Sequence, residues 1–348
     1  MDSLRRSGVC ALKLECIFLT AQLRGGFPRK AEAQYFFVKR YANTSGTETW
    51  NKKQSTSEYC IASVKKSDYE NYLCTLLLPA PVRSTAFAIR AFNVELAQIR
   101  DVISDHRIGK MRLQFWKDAL ERIYSGNPPQ TPVAQELYRA VQKTPMSKAS
   151  LRDLIDAREE SLHNKPFRSV DAVEAYSLKA ISPAFNLLLE AMKVQNEDLQ
   201  LAAQYLAKAI GIKTVLRSVP YNLQRGVVLI PVDLLIKHRL SADVISRIGR
   251  NVDVSQGMPV TEEKRKGFRD LTAGLVERCD NHMEKAAALI KTGSVGSPNA
   301  KTIFLPTVSC RKFINRLKLN NFDVFQPSLR QRDGLLPLKL WWHANIKF

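Results

Sequence analysis

Residues 199–231 constrain the fold more than any other stretch. Leu201, Tyr205, Ile212, Leu216 and Val219 recur at the spacing of one face of a helix. Pro220 follows, and its ring predicts that the helix stops there. The Gln224-Arg225-Gly226 turn then leads into a short apolar run, 227–230, which Pro231 closes. The expected unit is a long buried helix, a basic turn and a short apolar exit.

The chain upstream and downstream is also helical in pattern. Residues 68–78 predict one helix, ended by Pro79 and Pro81, and Ser84 or Thr85 can cap the next. In that next helix Ile89, Phe92, Leu96, Ile99 and Ile103 step by three and four, which gives one apolar stripe. Asn93, Ala97 and Asp101 form a second face beside it. Residues 110–124 predict a helix with Met111, Phe115, Leu120 and Ile123 inward. Further helices are expected over 150–163, 171–192, 241–250 and 262–291, and Pro183 should kink or split the second of these. Strand signals are too few to build a sheet. The expected class is therefore an all-α, single-domain helical bundle.

Two segments stand apart. Residues 1–41 hold eight Lys/Arg against three Asp/Glu, and an Arg-rich, acidic-poor leader reads as a mitochondrial presequence with a processing junction near Arg40-Tyr41-Ala42. The rival reading is a secretory signal over 9–23, interrupted by Lys13 and Glu15. Residues 42–57 are polar and Ser/Thr-rich and read as a flexible linker. The folded domain is expected over 58–348, with a basic C-terminal tail from 303.

The formal net charge is +20. Such a balance suits an anionic membrane surface, nucleic acid, or an organelle that imports positive leaders. Short basic clusters without any nucleic-acid-binding motif argue against nucleic acid. The six cysteines form no C-x-x-C pair and the five histidines are scattered, so neither a metal centre nor a disulfide framework is expected.

The residues around 216–231 resemble the second aspartate-rich motif of squalene and phytoene synthases. In that superfamily the helix end reads roughly Leu-Arg-Asp-Val-x-x-Asp, followed by Arg-Gly-x-x-x-x-Pro. Leu216-Arg217, Val219, Arg225-Gly226 and Pro231 match, but Ser218 and Asn222 stand where the aspartates would be. The first motif is approached similarly. Active members carry aromatic-Cys-Arg and then Asp-x-x-x-Asp; here Phe92-Asn93-Val94 precedes Ala97 and Asp101. The runs 113–120 and 124–128 also match, while Glu70-Asn71 replaces the usual Ser-Phe.

The resemblance implies a squalene/phytoene synthase-like helical bundle, and it implies what its chemistry needs. Ionising an allylic diphosphate requires magnesium to neutralise the leaving group, and Mg²⁺ prefers hard carboxylate oxygens. Two carboxylates at i and i+4 share one helix face and can hold such an ion. Of four such positions only Asp101 keeps its carboxylate. Asn93, Ala97, Asp101, Ser218 and Asn222 are therefore expected to be vestigial diphosphate and metal positions, with no catalytic residue, metal or cofactor.

Residues 87–99, the pair Pro220-Tyr221 and the run 322–329 resemble a non-catalytic mitochondrial branch of the superfamily. That implies a pseudoenzyme, peripheral on the matrix side of the inner membrane, that assists assembly of respiratory complex I (NADH:ubiquinone oxidoreductase). Its implied partners are complex I subunits or other assembly factors and the anionic inner-membrane surface. An apolar ligand could fill the remnant cavity. The alternatives are an isoprenoid or lipid carrier using that cavity, and a prenyl transferase with a rearranged site.

Overall fold

The computed structural model describes residues 54–102, 105–163, 165–250 and 260–346. The expected presequence, most of the linker and Ile103 lie outside them. Fourteen α-helices and two short 3₁₀ turns, with no strand, make up the described residues.

The fold is built on α9, Glu197–Gln224, a helix of 28 residues and therefore about 42 Å long. Asn196 caps its start by accepting from the Leu199 N–H at 3.0 Å. The helix is longer than expected, because Pro220 lies inside it and does not end it. The proline N cannot bond the Leu216 carbonyl, so one ladder hydrogen bond is lost. Val219 and Asn222 are buried on either side of it, and this packing carries the helix one further turn. The inward face also differs from the expected one. Leu201 is exposed, while Leu199, Ala202, Leu206, Ala209 and Ile212 are fully buried.

One half of α9 closes a large apolar core with α1 (Thr56–Ser67), α3 (Ala80–Val102), α4 (His106–Tyr124), α5 (Pro132–Lys143), α6 (Lys148–Glu160) and α8 (Ser182–Ala191). The other half closes a second core with α11 (Ala242–Arg250), α12 (Glu262–Gly293) and α13 (Pro306–Leu319). A small third cluster seats α14, Leu336–Asn345, on Cys74 of α2 (Tyr69–Leu76) and on Leu305. The short α10, Val232–Lys237, follows the exit run.

Local chemistry sets most helix starts. Ser55 and Glu58 form a reciprocal capping box, so α1 begins at Thr56, inside the segment expected to be linker. α3 begins at Ala80, because Pro81 suits a first helical turn. Thr85 is consequently buried within α3 and caps nothing. Pro183 splits the 171–192 stretch into α7 (Val170–Ala180) and α8, as its position predicts. In α4 the inward residues are Leu113, Trp116, Leu120 and Ile123. Met111 is 44% exposed, one step off the face assigned to it.

α7 crosses α9 at unusually close range. A Cβ at Gly211 would overlap the Ser177 hydroxyl, so a side chain at this point of α9 would hold the two helices apart. Beside the crossing, Glu174 of α7 is bonded by Arg278 and His282 of α12 and lies 3.5 Å from Lys208 of α9.

Candidate functional site

The stripe on α3 is as the spacing predicts: Ile89, Phe92, Leu96 and Ile99 are buried in the core. Its neighbouring face, Asn93, Ala97 and Asp101, borders a cavity of about 800 Å³ between α3, α6, α7 and α9. Ser218 of α9 lines the same cavity. Four of the five expected positions are thus brought together from two helices.

Asn222 is the fifth, and it is not at this cavity. It is buried against Val215, Val219 and Leu223 on another side of the helix end. Its Nδ2 donates to Ser218 Oγ at 2.9 Å, and Ser218 Oγ donates to the Val215 carbonyl at 3.0 Å. The two residues at the aspartate positions of the second motif therefore satisfy each other. Asp101 is also partnered, with Arg225 Nη1 at 3.5 Å from Oδ1. Among the described residues no group of three or more His, Cys, Asp and Glu is placed to hold a metal ion.

Cations dominate the cavity wall, and these were not singled out from the sequence. Seven Lys/Arg and four Asp/Glu line it. Lys213 of α9, 5% exposed, donates to Glu70 Oε2 at 2.7 Å, and Arg217 Nη1 lies 3.3 Å from Glu70 Oε1. Burial raises the Glu70 carboxyl, but the Lys213 and Arg217 charges outweigh it and hold the group below the ordinary carboxylate value. Arg158 of α6 donates to the Tyr176 hydroxyl at 2.8 Å and to Asn93 Oδ1 at 3.1 Å. Burial pushes the Tyr176 phenol up, yet the Arg158 and Arg100 charges and its hydrogen bonds bring it below its usual value. Both groups face cations of the cavity wall.

Arg90 is the deepest of these cations. It is 5% exposed, its guanidinium sits 5.8 Å from the Phe185 ring centroid, and its Nε has no hydrogen-bond partner. Burial lowers its affinity for its proton relative to an ordinary guanidinium. An arginine flanked by Ile89 and Ala91 gives no periodic signal of its own, which is why the sequence hides it.

The C-terminal segment is less available than its charge suggests. Ile314 and Leu317 are fully buried. Lys312 is paired with Asp333 and Lys318 with Asp280, and Arg316 bonds the Ser328 and Gln331 carbonyls. On α14, by contrast, Leu338, Trp341 and Trp342 are exposed while Leu336 and Leu340 face inward. Among the described residues no helix is long and apolar enough to cross a membrane.

The squalene/phytoene synthase family model matches residues 64–342. The chain is 39% identical over 300 residues to a human protein named NADH dehydrogenase (ubiquinone) complex I, assembly factor 6, covering 86% of this chain and 84% of that one. The Bos taurus protein of the same name is 38% identical over 286 residues, covering 82% and 81%. The fold matches the crystal structure of squalene synthase HpnC from Alicyclobacillus acidocaldarius with a TM-score of 0.65 at 15% identity, over 77% of this chain and 95% of that one.

Proposed function

From the premise that the chain belongs to the squalene/phytoene synthase family, we propose that it is a non-catalytic member that assists assembly of mitochondrial respiratory complex I. The observation that carries this reading is the state of the metal positions. Ala97 offers no ligand, Ser218 and Asn222 are bonded to each other, and Asp101 is paired with Arg225. Neutral oxygens do not offset the cost of stripping water from Mg²⁺ as carboxylates do. Without bound magnesium, a diphosphate leaving group lacks the ion that this chemistry uses to neutralise it.

The relatives named as complex I assembly factors supply the biological setting. In that setting the protein acts in mitochondria, with complex I subunits or other assembly factors as partners. The basic leader, 1–41, would direct import. The matrix side of the inner membrane is the proposed location, with the exposed Leu338, Trp341 and Trp342 of α14 contributing amphipathic rings and apolar surface at headgroup level. A lipid-carrier role remains the second reading, and the 800 Å³ cavity favours it.

The test is depletion and rescue. Cells lacking the protein should lose assembled complex I on native gels, and wild type and Asp101→Asn should restore it equally. Restoration by wild type alone, together with diphosphate turnover by the purified protein, would overturn the reading.

A further inference from the structure

Among the described residues no carboxylate pairs directly with the buried Arg90; Asp68, whose charge acts on it, lies beyond ion-pair range. The Arg90 Nε, though buried, makes no hydrogen bond. Its contact with the Phe185 ring supplies only part of what water would. An unpaired guanidinium at 5% exposure is costly, and such a group persists where a counter-charge joins it.

Three of the surrounding acids are ion-paired elsewhere: Glu70 serves Lys213 and Arg217, Glu160 serves Lys179, and Asp101 serves Arg225. Asp68 accepts from the neutral Asn71 amide and offsets part of the Arg90 charge from a distance. Arg90, Arg100 and Arg158 are left facing one cavity with no carboxylate in ion-pair range among the described residues. The space, about 800 Å³, is far larger than a bare ion needs, and Leu96, Ala184, Phe185 and Val215 give it an apolar wall.

We propose that this cavity is a metal-independent anion site in which Arg90 takes a phosphate group, carried by a phospholipid headgroup or by a soluble phosphate ester. A guanidinium fork pairs with phosphate oxygens bidentately, and a phosphate brings up to two negative charges to a surplus of cations. The site shares its cavity with the old metal positions but is centred deeper in it. Arg90 precedes Ala97 by seven residues, about 10 Å along α3, and lies deeper in the bundle. The inference does not depend on a role in complex I assembly.

The test uses the purified full chain in EDTA, followed by thermal melting and titration calorimetry. Glycerol 3-phosphate probes the soluble source and dihexanoyl phosphatidic acid the lipid source, with glycerol and dihexanoylglycerol as phosphate-free controls. At least one phosphate probe should bind saturably and raise the melting temperature by several degrees, and the controls should not. Which arm responds identifies the source. Arg90→Met should abolish the shift while leaving the ligand-free melting temperature unchanged or higher, since it removes an unpaired buried charge. Arg90→Lys, which keeps the charge and loses the fork, should weaken binding at least tenfold. No shift with either phosphate probe, or an equal shift in the Arg90 variant, would overturn the proposal. So would a ligand-free melting temperature that falls sharply in Arg90→Met, which would make Arg90 a structural residue.

Discussion

Arg225 Nη1 stands 3.5 Å from Asp101 Oδ1, so the one carboxylate kept at motif spacing is held by a cation from the end of α9. Both side chains are 44% exposed, and such a pair contributes only about 0.2–1 kcal/mol. Asp101→Asn should therefore lower stability by less than about 1 kcal/mol in a denaturant melt. Millimolar Mg²⁺ should leave the melting temperature of both proteins unchanged, and neither should release pyrophosphate from farnesyl diphosphate. A magnesium-dependent stabilisation that Asp101→Asn removes would mean that a metal site survives.

Lys213 and Glu70 make a pair of a different kind, because Lys213 is almost wholly buried. Glu70→Gln should cost about 3 kcal/mol, since it strands a buried ammonium group. Lys213→Met should cost less, because Glu70 keeps Arg217 and more access to water. A chemical denaturation series of the two single variants and the double variant measures the asymmetry. Equal losses would indicate an ordinary surface pair.

Glu95 of α3 predicts a pH effect. Burial raises its carboxyl, a hydrogen bond with Tyr59 opposes this in part, and the net value is about 7. A folded value above the unfolded one favours the protonated fold. The stabilisation is fully present below the ordinary carboxylate value and is lost as pH rises towards 7. Glu95→Gln should thus be more stable than wild type at pH 8, by about 1–2 kcal/mol, and nearly equal to it at pH 4.5. Melting curves across that range are the measurement, and a parallel offset at all pH values would refute the assignment.

The α7–α9 crossing predicts a steric effect. Gly211→Ala should destabilise the protein by about 1–3 kcal/mol, because the new methyl meets Ser177. Ser177→Gly in the same chain should recover much of that loss, as coupled neighbours do. A fully additive double variant would place the strain elsewhere.

What the sequence made legible was local. The i, i+3, i+4 stripe of α3 named its buried side, and the adjacent Asn93, Ala97 and Asp101 are at the cavity because residues so spaced share a face. The all-α class followed from the same periodicity. What stayed hidden depends on distant partners. Lys213 and Glu70 are 143 positions apart, and no spacing rule joins them. Asn222 lies off the cavity, bonded to Ser218, in a last helical turn that Pro220 hides from a reading of the sequence. Met111 and Leu201 fit the helical spacing yet are exposed, because an apolar residue at the edge of a stripe often remains outside the core.

In a synthase, bound magnesium would join the carboxylates of the two motif helices through the diphosphate. Here Arg225 reaches Asp101 from the protein itself, and Lys213 fastens α9 to α2 beside it. A link that a metal ion would supply is made here by side chains alone. The pairing of α3 and α2 with α9 therefore needs no metal ion between the helices.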